Sequence, residues 1–432
     1  MKFLAIMVVV GMAVFTAVAI ALGGEWLWTV VNVGSYSFST YDLLFFSAVA
    51  LLVVANALSI RPERVTANRL VLWLCWAYVA YQMFVVLPAA VLLHELRPID
   101  VFRLQQGRVF LILIPFTYGI VLRYWKPAVL IAIVDAAAAG LAMWALYRYV
   151  THGATQGYFE SGVFRFRVVW TGGVMLFGWL LLSSLFYWPM RVWRLVLAGL
   201  ALVGFSLANY RSGVVALVIG FFAVLVVMRG VSRRALVAMV LVVVVSFGVY
   251  LGASTSVRES VAYSLTTAFN PSSDSTAKDR VTRSILGLDY FEQHPLGDFV
   301  WSRRFYTVNL GWNFVPHNFV VQLLVTQGAI ASALYFAIIG ATVLIAWRNR
   351  RDRLSSVMLV YLAFYLAFCL FNPNIDLIAN VSLFCFGVAI VLHQNRERFL
   401  RAESAPPQGD DTVKPVAEDA PELGVAEDDK SV

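Results

Sequence analysis

Residues 318–346 read NFVVQLLVTQGAIASALYFAIIGATVLIA, a run without one charged side chain. At a rise of about 1.5 Å per residue, a helix of this length exceeds the ~30 Å hydrocarbon layer of a bilayer, so the run predicts a membrane span. Immediately before it stand Pro316 and His317, and before those a hydrophilic island from about Gly252 to Pro316 that carries Arg258, Arg280, Arg283, Arg303 and Arg304. In a chain of apolar spans, a long polar insert that gathers guanidinium groups and ends on an imidazole is where chemistry is expected.

The surrounding sequence has the same apolar character. Of 432 residues, 60% are hydrophobic and 13% charged, a balance that no soluble core of this size solvates. Apolar runs fall near 2–22, 41–59, 70–94, 109–122, 127–147, 168–187, 194–209, 212–228, 235–252, 318–346, 355–371 and 375–392, which predicts an all-α polytopic membrane protein of about twelve spans. The first run begins like a signal peptide, with Lys2 and small residues at Ala19, Ala21 and Gly23. Its apolar core is too long for one, and it is read as a helix.

Positive charge sets the expected orientation. Arg61, Arg64 and Arg69; Arg123 and Lys126; Arg191 and Arg194; Arg229, Arg233 and Arg234; and Arg348, Arg350, Arg351 and Arg353 occupy alternate connections, which places those connections and both termini in the cytoplasm. The island, the Asn209-Tyr210-Arg211 turn, the 95–108 loop and the 148–167 loop then face outward. Arg97, Arg103, Arg108, Arg165 and Arg167 run against that rule, which points either to an anionic ligand or to lipid headgroups. Residues 1–401 form the transmembrane domain, with a catalytic loop at about 253–316. Residues 402–432 read as a disordered acidic tail whose charge of −7 leaves +15 on the remainder of a chain with net charge +8.

The three cysteines, Cys75, Cys369 and Cys385, all lie in apolar spans, so no disulfide framework supports the loops. There is no metal-ligand spacing, P-loop or dinucleotide fingerprint in the sequence. His317 stands at the start of its span, where the positive end of the helix dipole disfavours imidazolium and keeps the ring available as a proton acceptor. Asn318 is placed to hydrogen-bond a hydroxyl beside it. The plainer alternative is that His317 caps a helix or meets headgroups. Ser272, Ser273, Asp274 and Ser275 offer N-caps for a short amphipathic helix over 276–293, on which Val281, Ile285, Leu288 and Phe291 recur at helical spacing, with Pro295 and Gly297 to stop it. Arg280 and Arg283 share a side near its start. Arg211, in the shortest outer turn beside Ser212-Gly213, either snorkels to the interface or holds a phosphate.

Three stretches together resemble the bacterial O-antigen ligase and polymerase superfamily. One is His317-Asn318-Phe319 running into Leu324 and then Gln327-Gly328. The second is Arg211-Ser212-Gly213, and the third is Lys278-Asp279-Arg280 leading to His294-Pro295-Leu296-Gly297. The resemblance covers roughly residues 200–345. Where the family has G-x-G after the Pro-Leu element, this chain has Gly297-Asp298-Phe299, and the aromatic usual after the loop arginine is replaced at Arg283-Ser284-Ile285.

The resemblance implies a GT-C-like architecture in the bacterial inner membrane. It also implies a metal-independent, inverting glycosyltransferase that needs no cofactor, moving a glycan from a polyprenyl (undecaprenyl) diphosphate donor to a hydroxyl of a glycolipid or glycan acceptor in cell-surface polysaccharide synthesis. Its partners are then that donor, that acceptor and membrane lipid, with no nucleic acid. By the same resemblance His317 is the general base and Arg211 and Arg280 hold the diphosphate, with Arg283, Arg303, Arg304 and Asn318 behind them. Ligase and repeat-unit polymerase share this chemistry. A transporter or flippase is the alternative of another class, expected to carry ionisable residues at mid-membrane depth; Asp135 is the main candidate among the spans.

Overall fold

The computed structural model describes residues 29–33, 36–39, 63–94, 108, 110–152, 157–160, 163–166, 168–169, 171–189, 191–228, 275–299, 318–372 and 378–404, with scattered positions between 240 and 266. The expected spans at 2–22 and 41–59, nearly all of that at 235–252, and the tail beyond 404 lie outside the described residues.

The described chain is mostly helical. Helix α1 runs Thr66–His94 and α2 is a chain of short turns over 110–124; α3 is Pro127–His152, α4 covers 171–187, α5 is Val192–Ala208 and α6 is Arg211–Val227. Then come α7 at Ser275–Gln293, α8 at Phe319–Arg348, α9 at Arg353–Phe371 and α10 at Ile378–Ser404. Four of these, α1, α3, α8 and α9, are long and apolar enough to cross a membrane, while α4, α5 and α6 are shorter apolar helices. They mark the chain as a membrane protein.

Prolines account for the irregular turns. Pro88 has no N–H to give the preceding turn, and α1 widens to a π turn at Gln82–Val86 just before it. In α4 the π turn Ser183–Tyr187 ends the helix before Pro189. Helix α9 is the enclosed centre, with Tyr361, Phe364, Tyr365 and Phe368 buried, and it packs along α6 and α8.

Two departures from the all-α expectation are small antiparallel hairpins. Strands β1 (Thr29–Val33) and β2 (Tyr36–Ser39) pair with an irregularity between Thr29 and Val31, and β3 (Gly157–Glu160) pairs with β4 (Val163–Phe166) in regular register. Each pair of strands is separated by two residues, Gly34-Ser35 and Ser161-Gly162, the glycine-bearing dipeptides that favour tight hairpins. A further correction concerns the last helix, which continues through Ser404 rather than giving way to a tail at 402.

Polar contacts distinguish the two ends of the bundle. At one end Asn68 donates to the Leu392 carbonyl at 2.8 Å, Asn395 donates to Asn68 at 2.8 Å, Asn349 donates to Asn395 at 3.0 Å and Arg398 donates to Asn349 at 2.9 Å. Arg353 caps the chain end of α4 by donating to the Phe186 and Trp188 carbonyls. Arg353 and Arg398 thus both belong to this end. At the other end lie His94, the α5–α6 turn, Asn372 and the exit of α7.

Candidate functional site

The α5–α6 turn is built tightly. Asn209 closes α5 in the left-handed conformation at φ 49°, which Asn tolerates better than most residues, and Tyr210 returns to extended backbone so that α6 starts at Arg211. The Ser212 hydroxyl is hydrogen-bonded by the Asn372 side chain, which ties this turn to the end of α9. The Arg211 guanidinium lies over the ring of Tyr263, 5.5 Å from its centroid. Arg211 thus contacts a residue of the polar island.

Helix α7 occupies the range expected for it almost to the residue. Its inward face is mainly polar: Gly287 is buried, Arg280, Arg283, Ser284 and Tyr290 are half-buried together with Phe291, and the helix packs on α8. Arg283 pairs with Asp279 at 2.5 Å one turn back, so its charge is partly compensated, while the Nε of Arg280 is sealed from solvent.

The exit of α7 is inserted into α8. Helix α8 is broken at Gly328, with φ 72° and ψ −177°, a backbone region that is essentially glycine's alone. An unbroken helix would bond the Ala329 N–H to the Val325 carbonyl. Instead Ala329 donates to the Pro295 carbonyl at 2.8 Å, and the Val325 carbonyl accepts from Asp298 at 2.9 Å. The two groups freed by the break are therefore both satisfied by the segment 295–298. Gly297 and Gly328 allow the backbones to meet, since a Cβ on Gly297 would lie 2.4 Å from the Gly328 nitrogen.

Asp298, the middle residue of Gly297-Asp298-Phe299, anchors a cluster that sequence reasoning did not pick out. Its side chain is buried, 8% exposed, and Oδ1 accepts from the Tyr290 hydroxyl at 2.5 Å; Oδ2 has no partner among the described residues. The Asp298 carbonyl accepts from His94 Nε2 at 2.7 Å, which fixes the proton on that nitrogen. His294 stacks on Tyr290 with centroids 4.2 Å apart. Burial raises the Asp298 carboxyl above its ordinary value, and the Tyr290 hydrogen bond and the charges of His94 and His294 oppose that rise. His94 and Asp298 are separated by 204 residues in sequence, so no local pattern announced their pairing.

Beneath the break lies a second polar group. Arg108, 4% exposed, donates to Thr326 Oγ1 at 3.1 Å. A guanidinium only donates, so the Gln327 amide turns its oxygen toward Arg108, 2.8 Å from Nε, and its nitrogen toward the Tyr78 hydroxyl at 2.8 Å. The Gln82 amide lies against the same group and pairs with it when turned in the same sense. Of the arginines that run against the charge rule, Arg108 is thus an interior group at the Gly328 break.

Asn318 is the N-cap of α8. Its side-chain oxygen accepts from the Val320 and Val321 amides at 2.9 and 3.4 Å, so only its amide nitrogen is left for a ligand. A hydroxyl beside Asn318 would therefore accept from its amide nitrogen. His317, Arg303 and Arg304 lie outside the described residues, as do Arg97 and Arg103. The structure brings Arg280 and Arg283 on α7 and the Asn318 cap onto one helix, α8, and brings Arg211 to Tyr263.

Asp135, the ionisable residue that a transport reading would use, is accounted for otherwise. It pairs with Arg194 at 2.9 Å and accepts from Ser183 at 2.6 Å and from Trp188 at 2.8 Å. Arg194 is the third residue of α5 and stacks over Trp188, which places the pair at the basic end of the bundle as a structural link. Among the described residues no cluster of His, Cys, Asp and Glu could hold a metal ion.

No protein-family model matches this chain, and no curated protein matches it in sequence.

Proposed function

We propose that the protein is a glycosyltransferase that transfers a glycan from a polyprenyl diphosphate donor to a hydroxyl acceptor at the outer face of a bacterial inner membrane, in the manner of O-antigen ligases. A repeat-unit polymerase would use the same donor chemistry with a growing glycan as acceptor. In this reading the chain has about twelve spans, both termini and the basic end lie in the cytoplasm, and the Gly328 end faces outward.

The observation that carries the reading is the insertion of the α7 exit into the α8 break. It makes the arginine helix and the helix that starts beside His317 one mechanical unit, so a diphosphate held by Arg280 and an acceptor hydroxyl near His317 are presented in a fixed relation. Arg211, at a helix N-terminus where backbone N–H groups and the helix dipole favour an anion, supplies the second guanidinium.

The chemistry then divides among these groups. Guanidinium groups stabilise charge developing on the leaving diphosphate, and His317 takes the acceptor hydroxyl proton as the glycosidic bond forms and the sugar–phosphate bond breaks. Direct displacement inverts the anomeric centre. The test is turnover by purified protein supplied with a polyprenyl diphosphate-linked glycan and candidate acceptors, reading both glycosylated product and released polyprenyl diphosphate. A vesicle assay in which substrate crosses the bilayer with no new glycosidic bond would overturn the reading in favour of transport.

A further inference from the structure

Helix α7 has its polarity reversed relative to a helix on a water-soluble protein. The face packed on α8 carries Arg280, Arg283, Ser284 and Gly287, whereas Val281, Ile285 and Leu288 stand 61%, 54% and 42% exposed. Those three residues are spaced i, i+4, i+7, which draws them into one stripe along the helix. Thr282 and Asp289 are also exposed and lie on the next strip of the helix surface, further from α8. The helix therefore has three sides: one mainly polar and packed on protein, one apolar and open, and one open side on which Thr282 and Asp289 flank Leu286, itself 46% exposed.

Three media match three sides at one place only, the boundary between a bilayer and water. The position of α7 agrees. From Asn349, at the basic end, to Gly328 is 21 residues of α8, about 31 Å at 1.5 Å per residue, which is about the ~30 Å thickness of the hydrocarbon layer. The α7 exit is fastened at Gly328, where two further apolar side chains, Leu296 and Ile330, are exposed. In water, so many open apolar side chains would be a liability.

We propose that α7 is an interfacial helix whose stripe of Val281, Ile285 and Leu288 lies in the acyl chains of the leaflet at the Gly328 end. The arginine side is thereby held at headgroup level, turned toward the protein. This needs only that the chain is a membrane protein and not that it transfers glycans.

The test is depth-dependent quenching. The three native cysteines are buried, so single substitutions Val281→Cys, Ile285→Cys, Leu288→Cys, Thr282→Cys and Asp289→Cys direct an environment-sensitive fluorophore to each chosen site in the full chain reconstituted in phosphatidylcholine vesicles. The expected result is blue-shifted emission at 281, 285 and 288, with strong loss of intensity from spin-labelled lipid and little from aqueous iodide, and the reverse ratio at 282 and 289. Iodide quenching of the stripe equal to that at 282 and 289 would overturn the proposal. Protection of the stripe from both quenchers would also overturn it, because protein would then be its cover. Neither result depends on transfer activity, so it is read separately from the function assay.

Discussion

Asp298 concentrates much of the local physics of this site in one side chain. Burial raises its folded-state carboxyl above the ordinary 3.8, so between that value and the raised one the folded protein binds more protons than the unfolded chain. Stability contributed by this group is therefore present at low pH and lost as pH rises through the raised value. Thermal unfolding of wild type and Asp298→Asn across this window should show a downward slope with pH in the wild type that is flattened in the variant. Equal slopes would assign the pH dependence elsewhere. The sequence displayed Asp298 only as the middle residue of Gly297-Asp298-Phe299, because what surrounds it, His94 above all, comes from another part of the chain.

For the elements, the break in α8 decides how the site is held together. Gly328→Ala would put a Cβ 2.1 Å from the Leu296 carbonyl oxygen in a backbone region closed to alanine, and should cost about 1–3 kcal/mol or more in unfolding free energy measured by denaturant titration. The N-cap makes a finer prediction. Asn318→Ala should lose about 1 kcal/mol, and Asn318→Asp, which keeps the accepting oxygen, should retain most of it. An equal loss in both would mean that the amide nitrogen rather than the cap matters. The existence of α7 was legible because its caps and its Pro-Gly stop are local signals. Its outward-facing medium was not, since periodicity locates a stripe without stating what touches it. The hairpins left a readable trace in Gly34-Ser35 and Ser161-Gly162, overshadowed by the apolar runs on either side.

Across the whole molecule, the two ends of the bundle do different work. The basic end is closed by neutral amide contacts and by the Asp135–Arg194 pair, both members buried. Arg194→Ala should cost about 3–5 kcal/mol, because it strands a buried carboxylate, and Asp135→Asn/Arg194→Met together should recover part of that loss in the same unfolding measurement. If the proposed function holds, such variants, once folded, transfer glycan at the wild-type rate. Hydropathy located the apolar helices: seven of the expected runs from 127 onward correspond to described helices within a few residues at most ends, three of them long and apolar enough to cross a membrane. Tertiary partners such as Gln82 and Gln327, which lie 245 residues apart, were beyond any local reading. The interior role of Arg108 was hidden for the same reason, since sequence registers only that it breaks a charge rule.

The central claim is that arginines on the α6 and α7 elements hold a diphosphate while His317 accepts a proton, and single-turnover transfer tests it most directly. Purified wild type and the variants Arg280→Ala and His317→Ala are compared for release of polyprenyl diphosphate from a lipid-linked glycan with acceptor present. The predicted result is a loss of about 100-fold or more in each variant, of the size seen when a charge-stabilising or proton-transferring group is removed, with the folded state intact. Wild-type rates in both variants would contradict the account.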